Sequence, residues 1–148
     1  MLEFVIVAHA PLASAFQALG SHVYSECAGQ VLALDVPPEA SVDDVRERLR
    51  ALIGDNEALV LTDMFGATPC NGARSLADGR RVRVVAGVNL PMLWRTLCYR
   101  HLGLEAVVAK ALEGGAAGVM HVPPEQAPQV QTPSPAGSHE QVQHHHQQ

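Results

Sequence analysis

Two hydrophobic periods alternate along this chain, and the alternation limits its possible folds more than any other feature. Leu2 to Val7 is a short, nearly continuous apolar run, the pattern of a strand buried on both faces. Pro11 then opens a helical pattern, with Leu12, Phe16, Leu19 and Val23 spaced by four, three and four. Gln30 to Val36 is a second strand candidate, stopped by Pro37 and Pro38. Ser41 and Asp44 form a capping-box pattern, followed by a stripe of Val42, Val45, Leu49 and Leu52, with Arg46, Glu47, Arg48 and Arg50 mostly facing water.

The same order repeats. Ala58 to Thr62 is a third apolar run, and Thr68-Pro69 reads as a helix N-cap with proline at the first helical position. That helix carries Ala73, Leu76 and Ala77 and is closed by Asp78-Gly79. Arg81 to Ala86 is a fourth strand, and Asn89 caps a helix containing Met92, Leu93, Leu97 and Cys98. A last helix over Leu104–Leu112 ends at Gly114-Gly115, with Gly118 to Val122 left as a final strand. Strands joined by helix-length crossovers require a mostly parallel sheet. The expected class is therefore α/β, doubly wound, with helices on both faces.

The pattern breaks at Pro123. Residues 123–148 hold five prolines, seven glutamines and four histidines but no aromatic, Leu or Ile. Such a stretch buries too little apolar surface to offset its ordering entropy. The expected organisation is a folded domain over 1–122 and a disordered Pro/Gln/His-rich tail over 123–148; the His144–His146 run is read as tail rather than metal site.

Charge and cysteine usage exclude several classes. With 15 acidic against 10 basic side chains the net charge is −5, which argues against a nucleic-acid binder. No apolar run approaches the ~20 residues of a membrane helix. The N-terminus lacks the basic region of a secretory signal, and Cys27, Cys70 and Cys98 form no CxxC pair or obvious disulfide set. The expected location is a reducing cytoplasm.

In a doubly wound sheet, functional groups gather where strands end and helices begin. His9 follows the first strand and Asp63 the third, so both fall on the carboxyl edge. A carboxylate on one imidazole nitrogen fixes the tautomer and frees the other nitrogen as a nucleophile. After Asp63 comes Met64-Phe65-Gly66-Ala67-Thr68-Pro69, where Gly66 permits a sharp loop and a helix N-terminus favours anions. The Thr68 hydroxyl is placed either to meet a phosphoryl oxygen or to cap its helix, not both at once. Phosphoryl transfer through phosphohistidine uses these parts and calls for no metal or other cofactor.

Other candidates are less informative. A cysteine phosphatase loop needs CX5R, but the residue six after Cys70 is Leu76, so Cys70 reads as a small core residue. Arg80, Arg81 and Arg83 read as a solvated turn or a docking patch, His22 and His101 as surface residues. Met64, Phe65, Pro91 and Met92 are candidates for an apolar rim around His9, with core packing the alternative for Met92.

The strings VIVAHAP, VLTDMFGATPCNGA and VVAGVNLPML resemble the enzyme IIA components of the mannose-type (mannose/fructose/sorbose) sugar phosphotransferase system, in order and spacing, over residues 2 to about 122. The resemblance implies a phosphocarrier in which His9 takes a phosphoryl group from HPr and passes it to a IIB partner. Asp63 then holds the histidine, and Thr68, with Gly66 and Phe65, lines the phosphoryl site. It further implies a homodimer through exchange of a C-terminal strand, which residues 118–122 are placed to supply, and peripheral association with a membrane permease. Ala8 and Ala10 stand where many members carry glycine, and no IIB-like segment follows. Two rivals stay open: a regulatory phosphohistidine switch without sugar transport, and an unrelated α/β small-molecule binder.

Overall fold

The structure is a computed structural model that describes residues 1–23 and 30–126; Cys27 and the region beyond residue 126, with its histidine run, lie outside the described residues. Four strands, β1 (Leu2–His9), β2 (Val31–Val36), β3 (Glu57–Thr62) and β4 (Val82–Ala86), form one parallel sheet in the order β2-β1-β3-β4. Among the described residues five α-helices accompany them, α1 (Leu12–Val23), α2 (Val42–Ile53), α3 (Thr68–Arg74), α4 (Leu90–Cys98) and α5 (Leu104–Ala117), with a short 3-10 turn over Arg100–Leu102. The doubly wound α/β fold expected from the sequence is present.

Each central strand carries an unbroken apolar stretch, residues 4–8 in β1 and 58–61 in β3, because it feeds two cores. Phe4, Ile6 and Ala8 of β1 join Leu59, Leu61 and Val85 under α1, α4 and α5. Val5 and Val7 join Leu34, Val36, Val60 and Val82 on the other face, under Val45, Leu49 and Ile53 of α2 and Ala73 of α3. Alternate strand residues face opposite sides, so His9 continues the face of Val5 and Val7, the side of α3.

Helix starts follow their caps. Ser41 Oγ accepts from the Asp44 amide, and the Asp44 carboxylate accepts from the Ser41 amide. The Asn89 side chain accepts from the Met92 amide and donates to the Gly115 carbonyl.

Several boundaries and stripes differ from expectation. In α2 the buried stripe is Val45, Leu49 and Ile53, while Val42 and Leu52 are exposed. In α1 it is Ala13 that is buried, with Phe16 packed partly beside it, and Leu12 and Leu19 face outward. Helix α3 stops at Arg74, short of Leu76 and Ala77. Its N-cap is Ala67, and Thr68 is already helical. The reason is conformational: Ala67 holds the extended φ/ψ of a cap (−83°, 165°), so the proline falls one position later than the pattern implied.

Helix α5 runs through Gly114-Gly115 to Ala117 rather than ending before them. These glycines serve contact with α4, not chain reversal. A Cβ on Gly114 would lie 2.6 Å from Arg95 Cβ, and one on Gly115 would lie 2.6 Å from Met92 Cε. Residues 119–122 form no strand within this chain, and Val119, Met120 and Val122 are exposed. Among the described residues, strand β4 therefore ends the sheet without a neighbour on its outer side. Among the described residues no helix is long and apolar enough to cross a membrane.

Candidate functional site

The site lies where the strand order reverses. From β1 the chain passes to β2 on one side and later to β3 on the other, which opens a crevice beyond the carboxyl ends of the strands. Val7 pairs with Thr62 and His9 with Val36, so the ends of β1 and β3 deliver His9 and Asp63 to one place. Sequence analysis paired these two residues, and the structure brings them into contact.

Asp63 accepts three times. One carboxylate oxygen takes the His9 amide at 3.0 Å and stands 2.6 Å from His9 Nδ1. The other takes the Met64 amide at 2.9 Å. Burial pushes this carboxyl up, but the His9 amide, the His9 ring and its charge, and the Met64 amide outweigh it and hold the carboxyl below its ordinary value. An ionised carboxylate only accepts, so Nδ1 must carry the proton that Asp63 receives. In the neutral ring the lone pair is then on Nε2. The His9 side chain is 49% exposed and that of Asp63 only 12%, so the carboxylate is sheltered and the ring stays reachable.

The loop after Asp63 is built by backbone geometry. Gly66 sits at φ +86°, a conformation that costs other residues their Cβ freedom. The Asn71 side chain donates to the Gly66 carbonyl at 3.0 Å, and the Asn71 amide to the Ala67 carbonyl at 2.9 Å. Because Ala67 occupies the N-cap and Thr68 is the first helical residue, Thr68 does not cap the helix. That removes the competing role which sequence analysis left open for its hydroxyl.

Phe65 is 73% exposed beside this loop, with the Arg74 guanidinium 6.0 Å from its ring centre. Met64 and Pro91 are exposed as well. Met92 is not part of any rim, because it is 4% exposed in the core against α5. Cys70 is buried, as expected. Of the arginine cluster, Arg81 donates to the carbonyls of Gly54 and Asn56, and Arg83 pairs with Glu105 at 2.6 Å. Both are structural ties, and Arg80 alone is left as an exposed turn residue.

Asn71 and Asp35 were missed in the sequence. Asn71 lies in a helical stretch for which only the apolar residues were named, and only the observed Gly66 carbonyl shows its use. Asp35 interrupts an apolar strand just before Pro37-Pro38, the one signal that marked it; its carboxylate accepts from the Ser14 amide at 3.0 Å. No group of three or more His, Cys, Asp or Glu among the described residues is arranged to hold a metal ion.

Comparison with known proteins gives a consistent picture. Residues 3–112 match a family model described as the phosphotransferase system (PTS) fructose IIA component. The chain is 30% identical over 111 residues to the PTS system fructose-specific EIIA component of Bacillus subtilis, covering 71% of this chain and 75% of that protein. It is 36% identical over 84 residues to the PTS system mannose-specific EIIAB component of Escherichia coli, covering 55% of this chain but only 26% of that longer protein. The solved structure of phosphotransferase system component EIIA from Streptococcus agalactiae superposes with a TM-score of 0.71 at 26% identity, covering 82% of this chain and 97% of that one.

Proposed function

This chain belongs to the mannose/fructose-type IIA family of the sugar phosphotransferase system, whose members are phosphotransferase components, and on that premise we propose that His9 is its phosphoryl carrier. The observation that supports this reading is the 2.6 Å contact between His9 Nδ1 and Asp63, which in the neutral ring leaves the lone pair on Nε2.

The proposed step is a displacement at phosphorus. The Nε2 lone pair attacks the phosphoryl group of phosphohistidine on HPr. The donor P–N bond breaks as the new one forms, and the donor nitrogen leaves with the electron pair. The Nδ1 proton stays on the His9 ring, so the phosphorylated ring is cationic, and the Asp63 carboxylate balances it. This is stabilisation aimed at charge that develops during transfer. Thr68 and the Gly66 loop face the phosphoryl oxygens, and Phe65 with Met64 offers an apolar contact to the protein that docks. Transfer to a IIB component runs the same chemistry in reverse and needs no metal.

The reading extends to assembly. Exposed Val119, Met120 and Val122 and the open side of β4 support a homodimer formed by exchange of residues 118–122. Residues 123–148 are then a tail outside the carrier domain, and the protein works in the cytoplasm.

The test is incubation with phosphoenolpyruvate, enzyme I and HPr. The expected product carries one acid-labile, alkali-stable phosphoryl group on the wild type and none on His9→Ala. Label that persists without His9, or that never forms on the wild type, overturns the assignment.

A further inference from the structure

Asp35 has no part in the chemistry above, yet it is tied to the segment that follows His9. In the β1–β2 register Ala8 pairs with Asp35 and His9 with Val36. Asp35 shares its strand face with Val31 and Ala33, which pack with α1. His9 projects from the opposite face, with Val5 and Val7. The Asp35 carboxylate and the imidazole are thus on different sides of the sheet, and any influence between them must pass through the backbone.

That backbone is held by several hydrogen bonds. The Ala10 amide donates to the Val36 carbonyl at 3.0 Å. The Ser14 amide donates to Asp35 Oδ1 at 3.0 Å, and Ser14 Oγ donates back to the Pro11 carbonyl at 3.1 Å. Pro11 has no amide proton, so it takes part only through its carbonyl, which also accepts from the Ala15 amide at 3.1 Å. Of the ties between α1 and β2, the one at Asp35 holds the first turn, and the Gln17 side chain donates to the Val31 carbonyl at 2.6 Å farther along the helix. A carboxylate at this end of α1 also complements the helix dipole.

We propose that Asp35 is a positioning residue for phosphoryl transfer at His9, holding the first turn of α1 against β2 and so fixing the backbone from which the imidazole projects. Without it, residues 10–14 keep their tie at Ala10 but lose the one that sets the start of α1. The ring then loses its single alignment on Asp63. Reacting groups displaced by about 1 Å lose on the order of 100-fold in rate, and partial loosening should cost less. The proposal rests on His9 being the acceptor.

Two variants test it. Asp35→Ala removes the acceptor, and Asp35→Asn keeps an oxygen for the Ser14 amide. The expected result for Asp35→Ala is a roughly 10-fold lower kcat for phosphoryl acceptance with KM for the phosphohistidine donor unchanged, since the docking surface is untouched. Asp35→Asn should stay within about threefold of wild type on the same reasoning. Nitrogen-15 spectra of the unphosphorylated protein should show one His9 tautomer, protonated at Nδ1, in wild type and Asp35→Asn, and a mixture in Asp35→Ala.

A role confined to helix capping would lower the melting temperature of Asp35→Ala while leaving the tautomer and kcat at wild-type values, and that result overturns the proposal. So does an Asp35→Asn protein as slow as Asp35→Ala, and this isosteric variant decides the matter if the alanine form does not fold. If the wild type accepts no phosphoryl group, the carrier reading fails by itself, and the ring-nitrogen spectra still report whether Asp35 holds the imidazole.

Discussion

Replacing Asp63 by asparagine changes almost no volume and yet cannot reproduce what the carboxylate does. The native side chain accepts from the His9 amide and ring on one oxygen and from the Met64 amide on the other. Asparagine offers one acceptor edge and one donor edge. Turned with its oxygen toward His9, it sets its NH2 against the Met64 amide. Turned the other way, it opposes the His9 amide and forces Nδ1 to accept, which moves the ring proton to Nε2 and removes the nucleophile. Met64 is 59% exposed, so water can reach its amide and the first orientation is preferred. The tautomer then survives, and the loss is chiefly one of charge.

The size of that loss can be worked out. A unit charge pair about 4 Å apart is worth roughly 1 kcal/mol at the dielectric of water and about 4 kcal/mol at an effective value near 20. His9 is half exposed, so solvent screening selects the lower half of that range. At about 1.4 kcal/mol per tenfold, the lower half of that range, roughly 1–2.5 kcal/mol, means that Asp63→Asn should slow phosphoryl acceptance by roughly 5- to 60-fold. The assay is rapid-quench transfer from phosphorylated HPr, with circular dichroism to confirm the fold. A rate within twofold of wild type, with native spectra, refutes the charge-balance argument.

The same carboxylate sets an acid limit on stability. Its native value lies below the ordinary value, which is about 3.9, so the unfolded chain protonates first as pH falls. The stability contributed by Asp63 is complete above that ordinary value and is lost as pH drops through the lowered native one. The melting-temperature gap between wild type and Asp63→Asn should therefore close in acid, and a gap independent of pH between 6 and about 2 contradicts the linkage.

Two further predictions concern corrected boundaries. Thr68→Val should slow transfer about 10-fold, below the roughly 100- to 1,000-fold that one removed donor costs in a water-excluded site, because His9 is half exposed. Because Ala67 and not Thr68 holds the cap, it should change stability by less than about 0.5 kcal/mol; a cap-sized loss of about 1 kcal/mol in thermal melts would restore the capping role. Gly114→Ala puts a Cβ 2.6 Å from Arg95 Cβ and 3.0 Å from the Pro91 carbonyl, atoms that move only if α4 and α5 separate. Overpacking of this kind costs about 1–3 kcal/mol, whereas Gly115→Ala meets the mobile end of Met92 and should cost less. Equal melting temperatures for the two variants would show that the glycines do not set the helix approach.

What was legible in the sequence was what repeats. Continuous apolar runs marked strands buried on both faces, and cap residues such as Ser41 and Asn89 marked helix starts, because each signal is local. Helix stripes were less legible. Leu12, Leu19, Val42 and Leu52 have helical spacing but turn outward, since the choice among adjacent stripes depends on the surface that receives them. The glycines near the end of α5 read as a stop because conformational freedom is the commoner use of glycine; here the partner helix was needed to show a packing role. Asp35 and Asn71 stayed hidden for a similar reason, as their partners, Ser14 and Gly66, are chosen by tertiary placement.

The His9–Asp63 pair was legible because it is a matter of register. In parallel strands, residues at equal depth come out of the sheet together, and Val7 opposite Thr62 sets Asp63 one step beyond the sheet on β3, beside His9 on β1. A slip of one residue between β1 and β3 would turn every buried side chain of one strand to the other face. Ala58, Val60 and Thr62 would then trade places with Leu59 and Leu61 across two differently shaped cores. The cores therefore hold the register, and the register holds imidazole against carboxylate. This is why two isolated residues, each weak as a signal, became informative once both were assigned to the same strand edge. It is also why substitutions deep in β1 or β3 that keep the fold should leave the contact in place, while those in the loops that follow are free to tune it.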